Sequence, residues 1–480
     1  MNFNLVFNIT GKALLIEGAA LLLPLTVALL YGESPLPFLY SIGIVLCVGF
    51  ILSRLPYKKH FFAREGFFAV GLIWVLMGLL GALPFFFSGS EQFASYIDCV
   101  FECISGFTTT GSTILTNIEV LPKGILFWRA FTHWLGGMGV LVLTTALLPS
   151  MGLRAHFLIQ AESPGPVFSK LTPKQSHTSK LLYTIYCVMT LVEVLLLKLA
   201  GMSWYDSLIH SFSSAGTGGF SNYNASVAAF NSPLIEMIIS VFVVLFSINF
   251  AMYFLLLCGR LRDVLRSDEL RFFLLAVAAS TLLVSINIFP IYQSAWESFR
   301  YAFFQVTAII STTGMATADY MTWPVFSQVI MMLLLVCGAC AGSTGGGLKC
   351  SRVLLNFRCL FREIRQVIHP KSVSVVKLDG KVVEEFTLNS ISIFTCSYFI
   401  ISLLATLIVS LDNFSFATSF SATLTCMSNV GPGLDMVGPA GNFSAFSALS
   451  KAVLSACMVI GRLEIFPILV LFSRGAWRRT

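Results

Sequence analysis

Two stretches of this chain, Phe67–Phe87 and Phe272–Phe289, contain no charged residue, and at about 1.5 Å per helical residue they come close to or match the thickness of a hydrocarbon core of about 30 Å. Lipid offers backbone N–H and C=O groups no partner, so only helices or closed barrels can span it, and apolar runs of this length are helices. With 56% hydrophobic and only 11% charged residues among 480, the chain has too little polar surface to coat a water-soluble globule. An all-α polytopic membrane protein is therefore expected.

Ten crossings are predicted, centred on 13–31, 36–53, 67–87, 127–148, 181–202, 233–257, 272–289, 323–345, 388–411 and 449–472. The first is read as a retained span, because no basic residue precedes Lys12 and no small-residue cleavage pattern follows the apolar run. Lys12, the loops Arg54–Arg64, Arg154–Lys180 and Arg260–Arg271, the stretch Lys349–Lys381 and the tail Arg474–Arg479 hold 24 of the 30 Lys and Arg. By the positive-inside rule this face is cytoplasmic, with both termini on it. The net charge of +7 is thereby accounted for by topology and anionic lipid, with no need for nucleic acid.

The opposite face carries segments that are neither fully apolar nor loop-like, at 88–125, 203–232, 290–322 and 412–447. Each contains a helical stretch running into a Gly-bearing turn, followed by the next long span. The turns are Thr108-Thr-Thr-Gly111-Ser-Thr, Ala215-Gly-Thr-Gly218-Gly-Phe, Ser311-Thr-Thr-Gly314-Met-Ala and Ser428-Asn-Val-Gly431-Pro-Gly, with glycines 107, 96 and 117 residues apart. The chain after residue 60 thus reads as four copies of span, half-helix, turn, span. The expected divisions are an N-terminal two-span domain at 1–60 and pore repeats at 61–150, 179–260, 268–364 and 384–480.

A half-helix re-entering the membrane aims its C-terminal carbonyls, the negative end of its dipole, at the membrane's centre, where they favour a cation. An extended turn after it can direct backbone carbonyls at an axis in place of an ion's hydration shell, and a glycine allows the positive φ this requires. One such turn alone would equally serve close helix packing. Four at matching places form a ring.

The turns, the fourfold core, the two extra N-terminal spans and the segments Gly342-Ser-Thr-Gly-Gly-Gly-Leu-Lys349 and Gly461-Arg-Leu-Glu-Ile-Phe-Pro467 resemble the Trk/Ktr/HKT superfamily of potassium transporters, and within it the bacterial TrkH subunits, over essentially the whole chain. The resemblance implies a K+ filter at Thr110-Gly111, Thr217-Gly218, Thr313-Gly314 and Val430-Gly431, with the ion held by backbone carbonyls. The fourth turn is similar to the VGYG of potassium channels. In the superfamily a serine in place of the first glycine goes with Na+ preference, so Gly111 implies K+. Also implied are a homodimer in the bacterial inner membrane and a cytosolic TrkA-type ring that binds nucleotides. Docking of that ring is expected on Arg352–Lys381 and Arg474–Arg479, with snorkelling to lipid head groups as the competing explanation of those charges. No cofactor is expected beyond the transported ion.

The eighth span breaks up at Gly338-Ala-Cys-Ala-Gly342-Ser-Thr-Gly345-Gly346-Gly347, and backbone so interrupted must be buried in protein or line water. The resemblance implies an intramembrane loop that obstructs the path, so Gly342, Gly345, Gly346, Gly347 and Lys349 are gate candidates. Arg462, deep in the last span, either pairs structurally with Glu464 or loop carbonyls, or faces the cavity, bonds the loop and holds it closed; the second is the working expectation. Asp98, Glu102, Asp206 and Glu297 either attract cations to the outer mouth or cap half-helices and pair with Arg129 and Arg300; capping and pairing is the expectation.

Enzyme classes find no support: GxxxxGK[ST] fails at Leu348 and Cys350, and neither HExxH nor GxSxG occurs. Of the twelve cysteines most lie inside apolar runs as reduced packing residues, and the CxxC of Cys337 and Cys340 lacks a second ligand pair. The alternative to a pore is a secondary cation symporter with discontinuous helices, which would show two halves with one or two breaks.

Overall fold

A computed structural model describes residues 2–57, 63–137, 139, 175–372, 374–465 and 468. Six helices in it are long and apolar enough to cross a membrane: Phe3–Leu30, Leu36–Ser53, Glu65–Phe87, Lys180–Leu199, Asp268–Tyr292 and Glu385–Asp412. The first begins well before the expected residue 13, because Asn2 caps it through the Leu5 N–H.

The other expected crossings depart from plain spans. The one at 127–148 starts as Lys123–Gly137, and nearly all of the rest lies outside the described residues, as does most of 449–472 beyond Ala448–Arg462. The one at 233–257 is two helices, Pro233–Phe246 and Phe250–Leu257, bent by 89°. In place of a helix across 323–345 there is Val325–Cys337, whose 13 residues reach only about 20 Å. The chain then loops and enters Cys350–Ile368, an amphipathic helix where the sequence suggested a basic loop. A short antiparallel hairpin, Lys377–Leu378 against Lys381–Val382, follows it.

Half-helices occupy all four expected places: Tyr96–Phe107, Trp204–Gly216, Ala295–Ile310 and Phe416–Ser428, of 12, 13, 16 and 13 residues. Each starts on a serine whose hydroxyl accepts a backbone N–H three residues on, from Asp98, Asp206, Glu297 or Thr418. Ser95 and Asp98 complete a reciprocal capping box. In the fourth half-helix Thr418 stands where the others have an acid, and Asp435 supplies the carboxylate from the following loop, accepting from Ser415 Oγ at 2.5 Å and Thr418 Oγ1 at 2.8 Å. Those two hydroxyls hold the exposed Asp435 carboxyl below the ordinary range.

Candidate pore and gate

The four turns share one backbone pattern, which fixes their equivalence. A left-handed residue (Thr109, Thr217, Thr312, Asn429) is followed by one ordinary residue and then a glycine of positive φ (Gly111, Gly219, Gly314, Gly431). The middle residue's N–H bonds the carbonyl five residues back in every case: Thr110 to Ser105, Gly218 to Ser213, Thr313 to Ala308 and Val430 to Thr425, at 2.8–3.1 Å. The second turn is therefore displaced by one residue from the expected register. Its counterpart of Thr110-Gly111 is Gly218-Gly219, and Thr217 holds the left-handed position that Thr109 holds in the first turn. The doublet Gly218-Gly219 offered two candidates, and only backbone conformation separates them.

The turns touch in cyclic order. A methyl group placed on Gly111 would overlap the carbonyl oxygen of Gly218, on Gly219 that of Thr313, on Gly314 that of Val430, and on Gly431 would press against that of Thr110. The carbonyls of Thr110, Gly218, Thr313 and Val430 thus each abut the glycine of a neighbouring turn around a closed ring, and no side chain fits between neighbouring turns. A cavity of about 200 Å³ sits on one side of the ring, lined by the four glycines together with Ser112, Arg129 and the segment 437–443.

Buried ion pairs brace the ring from outside. Glu102 on the first half-helix pairs with Arg129 at 2.6 Å and accepts from Thr113 Oγ1 and the Ile114 N–H. Arg129 also lies 3.5 Å from the Phe220 ring centre and donates to the Ser221 carbonyl, tying the first turn to the second. Asp98 pairs with Lys451 at 2.6 Å, so its carboxylate joins the first repeat to the last. Arg300 takes Glu236 at 3.2 Å in place of a residue on its own half-helix.

On the other side of the ring lies the loop Gly338–Lys349. The Gly346 N–H donates to Thr312 Oγ1 at 2.7 Å, and the Gly347 N–H to the Ser428 carbonyl at 2.8 Å, so the loop is bonded to the ends of the third and fourth half-helices. Lys349, buried, donates to the Gly345 carbonyl. Arg462 donates to the Thr344 carbonyl at 2.7 Å and to the Gly136 and Gly137 carbonyls at 2.6 and 3.0 Å. Glu464, its other suggested partner, holds Arg352 at 2.5 Å. Arg352 is thereby buried, with Phe394 4.0 Å beneath it, and is not part of an exposed basic surface.

The loop also explains the bend at 246–250. The Cys340 N–H donates to the Ser247 carbonyl at 3.1 Å, Thr344 Oγ1 to the Phe246 carbonyl at 3.1 Å, and the Phe250 N–H to the Gly342 carbonyl at 3.0 Å. Two interrupted spans satisfy each other's freed backbone groups, as a low-dielectric setting demands. Glu269, which sequence reasoning missed, accepts the N–H groups of Ala341 at 2.6 Å and Ser351 at 3.1 Å and so ties the loop to the start of the helix that follows it. Nothing local marks it, since its partners lie 72 and 82 positions away.

Comparison with known proteins agrees with this architecture. Residues 42–477 match a family model described as TrkH, cation transport protein. The Trk system potassium uptake protein TrkH of Salmonella typhimurium is 38% identical over 490 residues, and that of Escherichia coli K12 37% over 491, each alignment covering all of both chains. The crystal structure of the potassium transporter TrkH from Vibrio parahaemolyticus superposes with a TM-score of 0.89 at 32% identity, again over the full length of both chains.

Proposed function

The chain belongs to the TrkH family of cation transport proteins, and from this premise we propose that it is a potassium-uptake subunit conducting K+, and Rb+ with it, through the ring of four turns. The observation that carries the reading is the closed ring in which the carbonyls of Thr110, Gly218, Thr313 and Val430 each abut the glycine of a neighbouring turn. Four such oxygens turned towards a common axis at the ends of four half-helix dipoles would replace the hydration of a monovalent cation without presenting a full negative charge. The ion enters from the 200 Å³ cavity on the side of the ring away from the loop Gly338–Lys349. The filter residues are Thr110, Gly111, Gly218, Gly219, Thr313, Gly314, Val430 and Gly431.

The loop Gly338–Lys349 obstructs the path on the cytoplasmic side, and Arg462 holds it there. Opening requires the bonds from Gly346 to Thr312, from Gly347 to Ser428 and from Arg462 to Thr344 to be exchanged for others. Two short neutral bonds and one from a charged donor make a barrier of about 2–6 kcal/mol if each is worth its usual net amount, a size that binding of a partner can offset. The chain acts in the bacterial inner membrane with both termini cytoplasmic, as a homodimer on a nucleotide-binding cytosolic ring. The exposed basic residues from Arg365 to Lys381, together with the tail Arg474–Arg479, which lies outside the described residues, are the docking charges. Complementation tests the whole reading: expressed with that partner in a bacterium stripped of its own K+ uptake, the chain restores growth at limiting K+, and a Gly314→Ser variant does not.

A further inference from the structure

The base of the intramembrane loop is pinched. Gly338 and Gly347 pack backbone on backbone, the Leu348 N–H donates to the Val336 carbonyl at 3.2 Å, and the Cys350 N–H donates to the Ala339 carbonyl at 3.0 Å. At this crossing the Cys337 and Cys350 sulfurs lie 3.6 Å apart, one on each side of residues 338–349. Cys350 Sγ is held at the crossing by the Gly338 carbonyl, 3.1 Å away. The pair differs in access: Cys350 is buried, whereas Cys337 is half-buried and lines an apolar groove of about 800 Å³ shared with Leu348, Val353 and Phe357. The CxxC spacing suggested Cys340 as the companion of Cys337; the fold supplies Cys350.

We propose that Cys337 and Cys350 are an oxidation site at which a small membrane-permeant peroxide staples the loop in its obstructing position. This rests on the reading of the loop as the gate. Hydrogen peroxide reaches Cys337 through the groove. The Cys337 sulfur attacks one peroxide oxygen, an S–O bond forms, the O–O bond breaks, and the departing oxygen leaves as water with the thiol proton. The Cys350 sulfur then attacks the Cys337 sulfur, the S–S bond forms, the S–O bond breaks, and the second oxygen leaves as water with the Cys350 proton. Two thiols and one peroxide give one disulfide and two waters. A thiol reductant reverses the step, which suits a transient disulfide on the reducing side of a membrane. The cross-link would close the pinched base from which residues 338–349 project, in the geometry that the obstructing loop has here, so the closed arrangement is the one it retains.

The test uses the full chain with its partner in proteoliposomes under hydrogen peroxide, followed by alkylation of free thiols and mass mapping of cysteine peptides alongside K+ flux. The expected result is a Cys337–Cys350 linked peptide with loss of most of the flux, both reversed by dithiothreitol, and immunity on both readouts in Cys350→Ser and, on the more accessible side, Cys337→Ser. Absence of the link at peroxide doses that oxidise the chain's methionines overturns the proposal, as does a link from Cys350 to Cys340 in its place. A Cys337–Cys350 link with undiminished flux overturns the staple. In that case Arg462→Ala separates the causes: raised flux in that variant leaves the gate standing, and unchanged flux removes the gate reading as well.

Discussion

The side-chain amide of Asn429 donates to the hydroxyl of Thr110 at 2.9 Å, across 319 residues of sequence, and to the Met458 carbonyl at 2.9 Å. The fourth turn is thus bonded to the first, where the ring of turns closes. Thr110→Val keeps the shape and removes the acceptor, leaving a buried amide hydrogen without its partner at a cost of about 1–3 kcal/mol. The expected outcome is a protein that still assembles but excludes Na+ less well, read as Na+ competition against Rb+ uptake; Thr110→Ser restores the wild-type ratio.

Register in the second turn is open to an equally direct check. Gly219 needs positive φ and has no room for a side chain beside the Thr313 carbonyl, so Gly219→Ser abolishes selective flux. Thr217 is left-handed, a conformation that Asn adopts more readily than a β-branched residue, so Thr217→Asn keeps selectivity and shifts thermal stability by no more than about 1–2 kcal/mol. Cation selectivity of the two purified variants decides between this register and one centred on Gly218.

Loosening the loop is expected to raise conduction. Arg462→Ala removes the bond to Thr344, and Glu269→Ala orphans two buried N–H groups at about 1–3 kcal/mol each. Both variants should leak K+ without the partner, measured as efflux from loaded vesicles. Glu269→Gln, which retains an acceptor oxygen, should leak less than Glu269→Ala.

The Glu102–Arg129 pair, 2.6 Å apart with both side chains buried, joins the first half-helix to the helix after its turn. Glu102→Ala strands the guanidinium and should cost about 3–5 kcal/mol of stability. The readout is a lowered melting temperature of the purified chain in detergent, with little folded protein recovered.

What could be seen in the sequence and what could not divide along physical lines. Half-helices and turns were legible because apolar flanks and glycines state a local backbone requirement four times over. The register of the second turn was hidden in the doublet Gly218-Gly219, although the pattern of Thr or Asn two residues before the glycine recurs in all four turns and would have found it. The serine at the head of every half-helix was a second unused signal. The 89° bend could not be read from Phe246-Ser-Ile-Asn-Phe250, which has neither Gly nor Pro; it exists because the loop from residues 340–344 bonds the freed groups. Arg352 misled for the same reason, since its partners Glu464 and Phe394 come from other spans.

Cation flux in proteoliposomes bearing the purified chain and its partner, compared for K+, Rb+, Na+ and Li+ in the wild type and in Gly314→Ser, tests the central claim most directly. The account predicts flux of K+ and Rb+ with little discrimination between them, lower flux of Na+ and Li+, and loss of that preference in Gly314→Ser. Flux that ranks the four cations identically in both proteins would contradict a selectivity ring built from these four turns.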